Sequence, residues 1–207
     1  MTDHPTEWRA VLPGNNGADL FEPDITEYGY LGHSFLEYGN RRFPVVFCSP
    51  DGLWVEAVHR ANNGRVFYEP NVIAVEELTF ENIHAAVAHL SVTDFDFGWM
   101  PGEQPAPSTP WTVELSEDET TDYWEMSSKE YLINSSLVRG HRRFPVEFYT
   151  PTRLGQNAHL ATEGGNVMYE PNVVALEDFT FDAIRAAVTH LADTGRLERM
   201  LGYSDQQ

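Results

Sequence analysis

Cysteine and lysine are almost missing from this chain: Cys48 and Lys129 are its only examples in 207 residues. One cysteine excludes an internal disulfide, and a reduced, cytoplasmic setting is the expectation. Cys48 ends a strand-like run, where a buried and unreactive thiol is the expected use. Long apolar runs are lacking too. Stretches such as "VIAV" fall far short of the about 20 residues that span a bilayer. The opening "MTDHPTEWRA" has neither the basic region nor the apolar stretch of a signal peptide. There is no Gly-rich phosphate loop, no GxSxG elbow, no CxxC pair and no HExxH. Sequence alone therefore assigns no catalytic residue, no metal ligand and no cofactor.

Positive charge is scarce as well. Thirteen bases face 32 acids, a formal net charge of −19. Such a surface repels phosphates and anionic lipids, so direct nucleic-acid or membrane binding is not expected. It favours cationic partners, the basic faces of nucleic-acid-binding proteins among them. Solubility, or adaptation to a salty cytoplasm, is the competing use of the charge.

What the chain has in plenty is itself. "FYEPNVIAVEELTF" (Phe67–Phe80) returns as "MYEPNVVALEDFTF" (Met168–Phe181), and "RRFPVVF" at Arg41–Phe47 returns as "RRFPVEF" at Arg142–Phe148. The offset of 101, Arg41 to Arg142, holds without a gap from Tyr30–Leu90 to Tyr131–Leu191, with about half the positions identical. Trp8 and Trp111 correspond at 103, which puts a two-residue difference in the loop that follows. A period this long is not that of a solenoid, whose units run about 20–50 residues. It predicts a domain duplication: unit one over 1–92, a Pro-rich linker over 93–110, and unit two with a short tail over 111–207. Folded together, the units would make a monomeric internal pseudo-dimer, with a homo-oligomer as the further possibility.

Within a unit, alternation of Phe43, Val45 and Phe47 predicts a half-buried strand. Gly39–Asn40 and Gly140–His141 predict the hairpin turns that join it to Tyr30–Tyr38 and its counterpart. Val46 and its replacement Glu147 lie on the other face, which the substitution marks as water-facing in unit two. Ser49 and Thr150, each followed by proline, predict helix starts, with Leu53, Ala57 and Ala61 on one face. The continuous run Val72–Val75 predicts a strand covered on both sides, entered or bulged at Glu69–Pro70–Asn71 because proline cannot donate to a ladder. Thr79 and Thr180 predict the caps of a last helix, with Ile83, Val87 and Leu90 on its stripe. Each unit reads as roughly ββαβα, an α+β (mixed α/β) class, with a strand near Trp8 or Trp111 as an addition.

Candidate functional residues fall in two sets. The acidic set lies where the copies diverge: Asp19, Glu22, Asp24 and Glu27 in "ADLFEPDITEY", and Glu114, Glu117, Asp118, Glu119, Asp122 and Glu125 in "ELSEDETTDYWE". Two acidic patches at related places could imitate part of the duplex charge array, one charge per about 1.7 Å, and steer a basic partner. "SEDETTD" lacks the central glycine and terminal glutamate of a calcium loop. The second set recurs in both copies: Arg41, Glu69 and His89, with Arg142, Glu170 and His190. These could line a cleft between the units, although Arg–Glu pairing and histidine at a helix C-terminus are structural uses of the same residues. His84 and His89 are about 140° apart on a helical wheel and do not share a metal. The expected function is a non-enzymatic binding protein that blocks a basic protein, as immunity, anti-defence or DNA-mimic proteins do. The alternatives are a small-molecule enzyme or sensor using the cleft, and an assembly or viral structural component.

Overall fold

The computed structural model describes residues 8–13, 22–39, 41–62, 66–92, 109–116, 128–201 and 203–204. Of the linker over 93–110, residues 93–108 lie outside them. In chain order the elements are β1 (Arg9–Val11), α1 (Glu22–Tyr28), β2 (Tyr30–Tyr38), β3 (Arg41–Cys48), α2 (Pro50–Asn62), β4 (Phe67–Ala74) and α3 (Phe80–Val92). They continue as β5 (Trp111–Glu114), β6 (Tyr131–Arg139), β7 (Arg142–Tyr149), α4 (Pro151–Thr162), β8 (Met168–Ala175), α5 (Phe181–Asp193), a 3-10 helix (Arg196–Leu201) and β9 (Tyr203–Ser204). The class is mixed α+β. One mixed sheet runs β1-β2-β3-β4-β8-β7-β6-β5, with β9 on β3.

Both hairpins form where the glycines allow them. Gly39 and Gly140 each sit at φ 63°, the left-handed conformation that only glycine adopts without strain. β2 and β3 pair antiparallel with Leu31 opposite Phe47; β6 and β7 do the same with Leu132 opposite Phe148. Both ladders slip before the third residue on, between Leu31 and Ser34 and between Leu132 and Ser135. His33 at φ 56° and Asn134 at φ 60° occupy the two bulges. The short strands β1 and β5 add to the outer edges, Arg9 opposite Glu37 and Trp111 opposite Arg139.

β3 and β4 are parallel, as are β7 and β8, and α2 and α4 make the crossovers. The sequence-predicted caps form: the Gly52 amide donates to Ser49 Oγ at 3.2 Å and the Arg153 amide to Thr150 Oγ1 at 3.2 Å. Thr79 and Thr180 cap α3 and α5 in the same way, each accepting at 3.1 Å.

Three cores result. α2 and α4 share one face of the sheet, where Leu53 and Ala57 meet Leu154 and Ala158 over Val46, Cys48, Val72 and Val173. α3 covers the other face beside β2 and β3 through Ile83, Val87 and Leu90. α5 covers it beside β6 and β7 through Ile184, Val188 and Leu191. Cys48 is fully buried, and its Sγ lies 3.7 Å from the Ile73 carbonyl. Burial pushes this thiol far above its ordinary value, the expected inert state.

The strand entry at Pro70 needs correction. β4 begins at Phe67, and Pro70 stands in its middle. Phe67 reaches the α2–α4 core, and so do Val72 and Ala74, so the alternation slips by one residue at Pro70–Asn71. β8 does the same from Met168 to Val173, with Asn172 at φ 51°.

Candidate functional site

The repeated Glu-Pro-Asn triplets meet at the middle of the sheet. β4 and β8 pair antiparallel, Phe67 opposite Ala175, Asn71 opposite Pro171 and Ala74 opposite Met168. Proline offers no N–H, so asparagine supplies the missing donor to the neighbouring strand. Asn71 Nδ2 donates to the Pro44 carbonyl at 2.7 Å, and Asn172 Nδ2 to the Pro145 carbonyl at 2.7 Å. Tyr169 adds a hydroxyl to Asn71 Oδ1 at 2.8 Å.

On the α2–α4 side the two glutamates of these triplets meet opposite fates. Glu69 is 4% exposed and closed in. Its Oε1 accepts from Arg60 Nη1 and from the Tyr30 hydroxyl, both at 3.2 Å, and Arg60 Nε binds Glu56 at 2.6 Å. Burial and the Glu69 charge push the Tyr30 hydroxyl well above its ordinary value.

Position 161, the counterpart of Arg60, is alanine, so no arginine arrives at Glu170 from that turn of α4. Instead β7 brings Glu147, which hydrogen-bonds Glu170, and the Tyr149 hydroxyl donates to Glu147 Oε2. Burial first, and then the charge and hydrogen bond of Glu147, push the Glu170 carboxyl up to about 8. Like charges this close cannot both ionise cheaply, so the pair holds a proton. Burial and the Glu170 charge also push the Tyr149 hydroxyl far up. Chemically this is a carboxylic acid kept protonated near neutrality, able to donate. The face that Glu147 occupies is thus not the water-facing one its charge suggested; α4 covers it, and Glu147 is half-buried.

On the opposite side of the sheet a groove of about 540 Å³ runs between α3 and the turn that precedes β8. Glu76, Glu77, Asn82, His89, Gly165 and Val167 are among its lining. The Gly165 amide donates to Glu76 Oε2 at 3.1 Å. The corresponding place beside α5 is filled from within. Arg196 donates from Nη1 to the Val66 carbonyl at 2.9 Å and from Nη2 to the Tyr68 carbonyl at 3.0 Å. Leu197 beside it is fully buried.

The second sequence-derived set is not gathered into one cleft. Glu69 and Glu170 lie on the α2–α4 side, whereas His89 and His190 are exposed in the last turns of α3 and α5 on the other. Arg41 is exposed at the start of β3, opposite Ser204. Arg142 is buried with its guanidinium 5.1 Å from the Phe144 ring centre. Glu69 is paired with Arg60 of α2. Arg42 binds Glu37 at 2.5 Å across its own hairpin, and Arg143 reaches over β6 to Glu114 on β5.

Of the acidic set, Glu27 is exposed on α1, and Glu114 is exposed but matched by Arg143. Glu22 and Asp24 belong to α1. Asp19, Glu117, Asp118, Glu119, Asp122 and Glu125 lie outside the described residues. Other exposed acids stand at matching places: Glu76–Glu77 after β4 and Glu177–Asp178 after β8, followed by Glu81 and Asp182 in the next helical turns. Among the described residues no group of three or more His, Cys, Asp and Glu could hold a metal ion, and no helix is long and apolar enough to cross a membrane.

Two of these features left a trace in the sequence that motif reasoning passed over. Where the copies differ on one face of β7, Val46 becomes Glu147 and Cys48 becomes Tyr149, which are the residues that surround Glu170. The acidic pair "EE" and its counterpart "ED" close the repeated segment itself, where packing needs no charge. No protein family, curated protein or solved structure matches the chain.

Proposed function

We propose that the chain is a tandem duplication folded as an internal pseudo-dimer, and that it acts as a non-enzymatic acidic protein. It docks on a basic protein surface, of the kind that binds nucleic acid, and blocks it. The duplication is supported by the register of β4 on β8, which is unchanged when counterparts at offset 101 are exchanged: Phe67 opposite Ala175 becomes Met168 opposite Ala74. A ββαβα unit with one added edge strand accounts for both halves.

The observation that carries the docking reading is the pair of acidic turns, Glu76–Glu77 and Glu177–Asp178, exposed beyond opposite ends of the central strand pair. By the β4–β8 register Glu177 and Asp178 stand level with positions 65 and 64, so at about 3.3 Å per residue the turns are on the order of 36–43 Å apart along extended chain. That is of the same order as the turn of duplex, about 34 Å, over which dimeric DNA-binding proteins space their two contacts. Cations that would neutralise such a surface are spent inside the fold. Arg60 holds Glu69, Arg139 holds Glu198 at 2.5 Å, and Arg196 holds two carbonyls. The net charge of −19 then steers a basic partner toward these turns.

The test is affinity capture from host lysate with three baits: the wild type, a variant neutralised at Glu76, Glu77, Glu177 and Asp178, and one neutralised at Glu117, Asp118, Glu119 and Asp122. A basic protein is expected to bind the wild type, be lost by at least one variant, and be released by duplex DNA and by salt between about 50 and 500 mM. The same proteins on all three baits would reduce the acidity to a solvation device.

A second reading, a small-molecule enzyme or sensor, is favoured by one feature: burial and the neighbouring Glu147 charge push the carboxyl of half-buried Glu170 up to about 8. Its site would lie under α4 rather than among the histidines. Saturable ligand binding that Glu170→Gln abolishes, in a folded variant, would favour it over docking.

A further inference from the structure

The two faces of the sheet carry different charge. On one, α3 and α5 with the turns that lead into them hold seven acids and one base, Arg185. On the other, α2 and α4 hold two acids, Asp51 and Glu56, and two bases, Arg60 and Arg153. This helix pair is therefore neutral on a chain of net charge −19. We infer that the outer side of α2 and α4 is an interface for a second copy of this chain, docked about a twofold axis close to Val55. The inference goes beyond the docking reading above and does not involve its acidic turns.

Apolar exposure is concentrated on the same helices. Trp54 is 45% exposed, Val55 56% and Leu160 69%, half of the six large apolar side chains that the described residues leave open to solvent. The helices cross antiparallel: Trp54 lies against Gly155, and Asp51 at the start of α2 meets His159 near the end of α4 at 2.9 Å. Leu160, the neighbour of His159, thus extends the apolar patch from α2 onto α4. The crossing also holds the indole in place. An anchor that is already ordered gives up little side-chain freedom on binding, and tryptophan is among the residues that dominate interfaces.

Charge selects a second copy as the occupant. Two chains of −19 repel, and a surface without net charge is where they approach at least cost. A basic partner is drawn instead to the acidic face. The stripe on α2 is also complementary to itself. Its first turn holds Asp51 and its last turn His59 and Arg60, with Trp54 and Val55 between them. Asp51, Val55 and His59 follow at i, i+4 and i+8 and are all exposed, so they share one outward side. Antiparallel contact of two such stripes about Val55 sets each Asp51 over the basic last turn of the other copy, with the helix dipoles opposed. The contact is isologous, taking the same residues from both chains.

Sedimentation equilibrium of the full-length protein is the test. A species of twice 23.5 kDa is expected. It should tighten as salt rises from about 50 to 500 mM, because screening relieves the repulsion between copies. Capture of a basic partner has the opposite salt dependence. Leu160→Glu with Val55→Glu should weaken self-association at least tenfold. Leu160→Glu alone should weaken it measurably, at a side chain too exposed for the fold to depend on it. Ala88→Glu adds the same charge to an exposed position of α3 and should leave association nearly unchanged. On dilution, amide shifts should centre on Trp54, Val55 and Leu160. A monomer at every salt up to about 1 mM protein would overturn the inference, as only dissociation constants weaker than that escape detection. So would a dimer that Leu160→Glu leaves intact, or one that Ala88→Glu breaks equally. A monomer whose α2 and α4 amides move only with phosphatidylcholine vesicles, or only with another protein, would also overturn it and give this face to lipid or to that protein.

Discussion

Trp54 packs on Gly155, its own counterpart at offset 101, where α2 crosses α4. A β-carbon at Gly155 would lie 2.8 Å from Trp54 Cβ and 3.1 Å from Cγ and Cδ1 of the indole. A side chain at position 155 would collide with the indole at this crossing. Gly155→Ala is expected to destabilise the fold. Overpacking of about 1–3 kcal/mol exceeds the about 1 kcal/mol that alanine gains over glycine within a helix. In a Trp54→Gly background the same change should become stabilising. Thermal unfolding of the four proteins in this cycle reads the sign, and a Gly155→Ala gain in the otherwise unchanged chain would show that the helices have room to part.

Glu69 and Arg60 form an ion pair with the glutamate buried. Its side chain is 5% exposed and Arg60 lies at 3.2 Å. Arg60→Ala should cost about 3–5 kcal/mol, the range for stripping one partner from a buried ion pair. Replacing both partners, Arg60→Met with Glu69→Gln, should cost clearly less, since no buried charge is left behind. Urea unfolding at neutral pH compares them; equal losses would mean that the pair is not what matters at this position.

Glu170 makes stability depend on pH in a direction unusual for a carboxylate. Its folded value of about 8 is above the ordinary 4.5, so its contribution is complete below the unfolded value and is lost as pH rises through about 8. Glu170→Gln should flatten the decline and leave the variant more stable than the wild type at alkaline pH. General repulsion among the acids acts on both proteins, so the difference between their unfolding curves is the readout. Parallel curves from about pH 5 to 9 would falsify a shared proton between Glu147 and Glu170.

The elements were legible where one residue type has one cheap use. Gly39 and Gly140 marked the turns, Ser49, Thr79, Thr150 and Thr180 the caps, and the stripe from Ile83 to Leu90 a one-sided helix. These are local rules, and each copy tested the other. The slip at Pro70 was harder, because proline in a central strand is disfavoured unless another group replaces its donor, and Asn71 does so through a partner 27 residues away. The site was less legible still. Arg60 and Glu56 lie in the half of α2 where the copies share little, so nothing in the repeat pointed to them as the partners of Glu69. Glu147 was visible as a departure from Val46, but its meaning depended on α4 lying over it. Charge opposite charge is decided by tertiary placement, and the sequence spacing of Arg41, Arg42 and Glu69 carried no information about which arginine would arrive.

The seam between β4 and β8 has a consequence for how the molecule is made. Phe67 must wait for Ala175, and Ala74 for Met168, so the middle of the sheet is closed by its longest loops. Folding should be correspondingly slow. On the ribosome, the first half emerges with β4 as a bare edge, without its neighbour until the ladder partner is synthesised. An edge of that kind is self-complementary to the same edge on another nascent chain. Two chains joined through β4 would be the characteristic misassembly, and fast translation between the halves the simplest protection against it.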